Sequence, residues 1–124
     1  MICLDTNYLV RVLIPGTLEA AQVEGWLGGE KKLFAASIAW YEFRCGPVTP
    51  AEVELVRSIL TGGILPFDEA QAAEAARLYN AAKRIRRLRV DAMIAATAKI
   101  ANTRLATGNP TDFEPFLSHG LLLV

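Results

Sequence analysis

Asp5, Glu42, Asp91 and Asp112 are the residues of this sequence best suited to chemistry. Taken singly, each has an ordinary explanation: a turn residue, a solvated helix residue, a charge at a helix start, and a cap for a short helical turn. Their settings argue for more. Asp5 follows the fully apolar Ile2-Cys3-Leu4, and a carboxylate there is costly to bury unless something compensates its charge. Glu42 lies between Trp40-Tyr41 and Phe43, and Asp91 precedes Ala92-Met93-Ile94-Ala95-Ala96, so both acids sit in otherwise core-like surroundings. Carboxylates converging on one crevice repel each other and raise each other's pKa values, a conflict that a divalent cation resolves. All-oxygen ligands select hard ions, here Mg2+ or Mn2+ rather than zinc. Other kinds of site fit poorly. There is no GxxxxGK phosphate loop and no GxSxG elbow, and His119, alone in Ser-His-Gly, reads as a turn residue. Cys3 and Cys45 have no paired spacing and read as buried free thiols. Metal-assisted hydrolysis is the chemistry that remains.

The elements that must position these acids alternate. Ile2-Cys3-Leu4 is a strand buried on both faces, and Asp5-Thr6-Asn7 ends it. Tyr8, Leu9, Val12 and Leu13 follow at helical spacing up to Pro15-Gly16, and a second helix runs to Gly28-Gly29. Leu33–Ala36 reads as a second strand, after which Ser37 caps a helix carrying Glu42 and ended by Gly46-Pro47. Thr49-Pro50 with Glu52 starts another helix, and Ile64-Leu65 is a third strand. Asp68 caps an alanine-rich helix that runs into the basic stretch Lys83 to Arg89, and a further helix extends from Asp91 to about Ala101. Arg104–Ala106 and Leu121–Leu123 complete a set of five strands. Strands alternating with helices imply an α/β fold, a parallel β-sheet of about five strands sandwiched between helices. Such sheets bind ligands beyond the carboxyl ends of their strands, where Asp5 points and to which the Gly108–Pro110 loop can return Asp112.

A chain of 124 residues suits one domain, spanning residues 1–124. Its 52% apolar content is slightly high and leaves surface for a partner or a second copy. No apolar run approaches the ~20 residues of a membrane span, and the N-terminus lacks the basic flank of a signal peptide, so a cytoplasmic protein is expected. Thirteen basic and thirteen acidic residues cancel, so nucleic-acid binding has to be argued from local clustering.

Four segments together resemble the PIN-domain nucleases, in particular the VapC-type toxins of bacterial toxin–antitoxin pairs. They are Leu4-Asp5-Thr6-Asn7, Tyr41-Glu42-Phe43-Arg44-Cys45-Gly46, Asp91-Ala92-Met93-Ile94-Ala95-Ala96-Thr97-Ala98 and Thr107-Gly108-Asn109-Pro110-Thr111-Asp112-Phe113. They occur in order across essentially the whole chain. The resemblance implies a helix–sheet–helix sandwich and a Mg2+- or Mn2+-dependent endoribonuclease using one or two ions. By that match Asp5, Glu42 and Asp91 are the core ligands and Asp112 binds directly or through water. Thr6 and Asn7 belong to the first motif, while Thr107 and Asn109 match polar positions that position Asp112 or the attacking water.

Lys83, Arg84, Arg86, Arg87 and Arg89 form the one dense basic cluster, just before Asp91. It reads equally as a solvated helix C-terminus or as a phosphate-binding rim for RNA, with Arg84, Arg86 and Arg87 as the candidate contacts. The resemblance also implies a cognate antitoxin, whose amphipathic segment would lie in an apolar groove, and commonly a homodimer. Two other readings stay open: a PIN nuclease of RNA processing that is not a toxin, and a non-enzymatic α/β module such as a receiver domain. A receiver needs paired acids after its first strand, and Asp5 stands alone.

Overall fold

The structure, a computed structural model, describes residues 1–124. Its strands are β1 (Ile2–Leu4), β2 (Leu33–Ala36), β3 (Gly63–Leu65) and β4 (Arg104–Ala106). The helices are α1 (Thr6–Arg11), α2 (Leu18–Gly28), α3 (Ser37–Cys45), α4 (Pro50–Ile59), α5 (Glu69–Ala81), α6 (Arg89–Ile100) and α7 (Pro110–Leu117). All strand pairs are parallel, in the order β3-β2-β1-β4. The chain therefore builds outward from β1 to β3 and then returns to the other side of β1 for β4. That reversal makes the β1/β4 junction the switch point of the sheet, where a crevice opens beyond the strand ends.

The elements follow from local chemistry. β1 is apolar throughout because both its faces are covered. The α4 helix begins with a reciprocal capping box between Thr49 and Glu52 with Pro50 in the first turn. Gly63, at φ +94°, takes the chain into β3 through a backbone conformation that side-chain-bearing residues rarely adopt. The buried apolar side chains form one connected core, in which Phe43, Phe113, Phe116, Leu4, Leu9 and Ile94 are among the fully buried. Small residues on α6 (Ala92, Ala95, Ala96 and Ala98) are buried, and α5, α3 and α7 pack around that helix.

Five details differ from the sequence expectations. The sheet has four regular strands; Leu121–Leu123 contributes only one parallel bridge, Leu123 to Leu105, and so marks an incipient fifth. Ser37 lies inside α3, whose N-cap is Ala36 with no side-chain bond. The alanine-rich helix stops at Ala81: Lys83 and Arg84 take positive φ values, and a 3-10 turn over Arg86–Leu88 leads into α6. As a result α6 starts at Arg89, which puts Asp91 in its first turn. Of the two thiols only Cys3 is buried; Cys45, the last residue of α3, meets solvent.

Candidate active site at the carboxyl ends of β1 and β4

The parallel register places Leu4 beside Ala106, and the Asp5 N–H continues the ladder by donating to the Ala106 carbonyl at 2.9 Å. The residues immediately after the two strands are therefore neighbours. Thr107 Oγ1 donates to Asp5 Oδ2 at 2.7 Å, and the Thr6 N–H donates to Asp5 Oδ1 at 2.8 Å. Both oxygens of a carboxylate that is only 6% exposed are thus satisfied. Burial still pushes the Asp5 pKa up, Glu42 and Asp112 add to the rise through their charge, and the two hydrogen bonds oppose it.

Glu42 comes from the middle of α3 and accepts a 2.6 Å hydrogen bond from Thr6 Oγ1, so the first residue of α1 touches two of the acids. Asp91 sits half-buried in the first turn of α6, and its pKa is raised to about 7. Burial is the largest cause, followed by the charges of Asp5, Asp112 and Glu42, with Arg87 pulling the other way. Asp112 lies in the first turn of α7, after Pro110, and its Oδ1 accepts from Arg87 Nη1 at 2.9 Å.

All four sequence-singled acids therefore stand in one electrostatic neighbourhood, contributed by four separate segments. The supporting residues behave unevenly. Thr6 and Thr107 hold carboxylates directly, and Thr107 holds Asp5 rather than Asp112. Asn109 acts through its backbone, its N–H donating to Thr107 Oγ1 and its carbonyl accepting from the Asp112 N–H. The Asn7 side chain lies against Gly108. Of the three arginines, Arg87 reaches the acids. Arg84 donates to Asn80 Oδ1 and stacks on the Tyr79 ring, and Arg86 is exposed without an ion pair. Sequence reasoning missed the Thr6–Glu42 bond, which joins residues 36 apart and has no local signature. The Arg87–Asp91 spacing of four residues was the available hint that Arg87 faces the site.

The PIN-domain family model matches residues 2–114. The chain belongs to the PIN-domain family. Among solved structures, this PIN domain is similar to FitAcB from Neisseria gonorrhoeae at 28% identity, covering all of this chain and 97% of that one, with a TM-score of 0.73. Two further likenesses show the fold alone. VapBC2 from Rickettsia felis, bound to a DNA fragment from its promoter, is 21% identical over all of this chain and 98% of that one, with a TM-score of 0.71. VapBC-1 from nontypeable Haemophilus influenzae is 18% identical over all of this chain and 97% of that one, also at 0.71. No curated protein sequence matches the chain.

The donor set suits a hard divalent cation. Four carboxylates offer only oxygen, and their mutual charge adds to the burial that raises the Asp91 pKa. As placed, no three of the His, Cys, Asp and Glu side chains are grouped tightly enough to grip one ion together. The carboxylates feel one another while each is tied to its own threonine or arginine partner, Asp91 excepted. No helix is long and apolar enough to cross a membrane.

Proposed function

We propose that this PIN domain, acting as one unit over residues 1–124, is a Mg2+- or Mn2+-dependent endoribonuclease and the toxin of a toxin–antitoxin pair. PIN domains are nucleases. The observation that carries the metal-dependent reading is the gathering of Asp5, Glu42, Asp91 and Asp112 from four segments at the sheet's switch point, where their charges add to burial in raising the Asp91 pKa. In the proposal Asp5, Glu42 and Asp91 hold one or two ions, with Asp112 a ligand directly or through water. When bound, the metal would lower the pKa of its water and offset charge developing on the phosphodiester. The protein's own part is preorganisation. Thr107 and the Thr6 N–H fix both oxygens of Asp5, and Thr6 Oγ1 fixes Glu42, so neither carboxylate has to be oriented during the reaction. Asp91, with its pKa near neutrality, is the residue that must give up a proton when a cation binds.

The toxin assignment draws on the resemblance of the four sequence segments around Asp5, Glu42, Asp91 and Asp112 to the VapC-type toxins. It is supported by an apolar groove of about 210 Å3 between α1, α2 and α4, lined by Val12, Leu13, Val23, Leu27, Val56 and Ile59, with Leu55 exposed at its rim. An amphipathic antitoxin segment is the occupant we assign to it. A homodimer and a cytoplasmic location, where RNA is available, complete the proposal.

The test is incubation of the purified chain, freed of any partner, with structured RNA in Mg2+ or Mn2+ and in chelator. The expected result is cleavage that requires the metal and is lost in Asp5→Asn and Asp91→Asn variants that still fold. Full activity in either variant would overturn the active-site assignment.

A further inference from the structure

Arg87 is the one member of the basic cluster that the fold delivers to the acids. It sits in the turn between α5 and α6, four residues before Asp91, and bonds Asp112 across from α7. Two of its neighbours are committed elsewhere. Arg84 and Arg89 lie over the Tyr79 ring at 5.4 and 5.7 Å, and Arg84 also binds Asn80. The Arg87–Asp112 pair is open to water, its side chains 67% and 40% exposed, so it is easily exchanged. A single Nη1 contact joins them, which leaves most of the guanidinium's five donors unused. That fork matches a phosphate, and the unused donors lie at the rim of a site whose proposed substrate is a phosphodiester.

We propose that Arg87 is a two-position residue of the candidate site: without a divalent cation its guanidinium neutralises Asp112, and on cation binding it releases that carboxylate and turns to the RNA phosphate. This rests on the metal-dependent nuclease reading above. The fixed charge of Arg87 thus restrains Asp112 from joining the other acids, and the same charge is reused to position substrate. Two effects of opposite sign follow. Removing the guanidinium frees Asp112 for metal, so divalent-cation affinity rises. It also removes a charge-assisted phosphate contact, so RNA binding weakens. Loss of positive charge alone would move both affinities in these directions. Arg87→Lys, which keeps the charge but not the fork, is therefore the control: it should leave Mn2+ affinity near wild type and still weaken RNA binding.

The experiment titrates Mn2+ into wild type, Arg87→Ala, Arg87→Gln, Arg87→Lys and Asp91→Asn, following free Mn2+ by electron paramagnetic resonance. The same proteins are titrated against a fluorescein-labelled random-sequence RNA 20-mer in Ca2+, read by anisotropy. Arg87→Ala and Arg87→Gln should bind Mn2+ about two- to fivefold more tightly, and the RNA about tenfold or more weakly. Mn2+ affinity unchanged or lowered in both Arg87→Ala and Arg87→Gln overturns the restraint on Asp112. Unchanged RNA affinity, in these or in Arg87→Lys, overturns the phosphate contact. Asp91→Asn separates this inference from its parent: if wild type takes up no Mn2+, or Asp91→Asn takes it up equally well, the metal-site reading itself fails.

Discussion

Asp91→Asn is expected to stabilise the metal-free protein at neutral pH while abolishing its chemistry. Burial, with the charges of Asp5, Asp112 and Glu42, raises the Asp91 carboxyl pKa from 3.8 to about 7 in the folded chain. Between those values the folded state binds more protons than the unfolded state, so stability falls as pH rises from about 4 to about 7 and levels off above. Taken at face value the shift corresponds to about 4 kcal/mol, at about 1.36 kcal/mol per unit. Asp91 is only half-buried, and solvent screening brings this to about 1–2 kcal/mol. Asparagine keeps the shape and cannot ionise. The variant should therefore unfold about 4–8 °C above wild type at pH 7.5 in chelator, with the gap closing near pH 4. Circular dichroism melts of both proteins across pH 4–8 make the measurement. Saturating Mn2+ should reverse the order, because the cation stabilises the protein that keeps the carboxylate. An Asp91→Asn protein no more stable than wild type at pH 7.5, with a gap independent of pH, would refute the claim that burial and the neighbouring acids disfavour the Asp91 carboxylate.

Two further outcomes test the supports around the acids and the partner surface. Thr107→Val keeps the side-chain volume but removes the donor to Asp5 Oδ2 and the acceptor for the Asn109 N–H; we expect a loss of about 1–3 kcal/mol by urea denaturation and weaker Mn2+ binding, and unaltered values would show that Thr107 is dispensable. Leu55→Glu changes a side chain that is 56% exposed at the groove rim, so stability should move by no more than about 0.5 kcal/mol while co-purification of a co-expressed antitoxin is lost; retained co-purification would place the antitoxin elsewhere.

The contrast between chain and fold is clearest in particular residues. Sequence alone determined the alternation of strands and helices, because apolar runs, caps and Gly or Pro stops are local signals. It also singled out Asp5, since a carboxylate closing a doubly buried strand is anomalous wherever that strand lies. The four acids could be gathered from the sequence as candidates because of their apolar settings and the family resemblance, and the fold does bring them into one neighbourhood. Only the tertiary structure decided what each acid touches. The Thr107–Asp5 bond depends on β4 pairing with β1 in a particular register, and those residues are 102 apart in sequence. The fifth strand failed to form beyond a single bridge because an apolar Leu121–Leu123 run carries no information about whether a neighbour offers a full ladder. Cys45 reads as a buried thiol by composition, but as the last residue of α3, between exposed Arg44 and Gly46, it meets solvent. The basic cluster shows the division most sharply. Five cations within the seven residues Lys83 to Arg89 specify charge, but the left-handed turn at Lys83 and Arg84, the Tyr79 ring and the position of α7 brought Arg87 to an acid. Local sequence sets which groups are present and which segments fold. Long-range register and helix packing set which of those groups meet, because that depends on contacts no short stretch of chain contains.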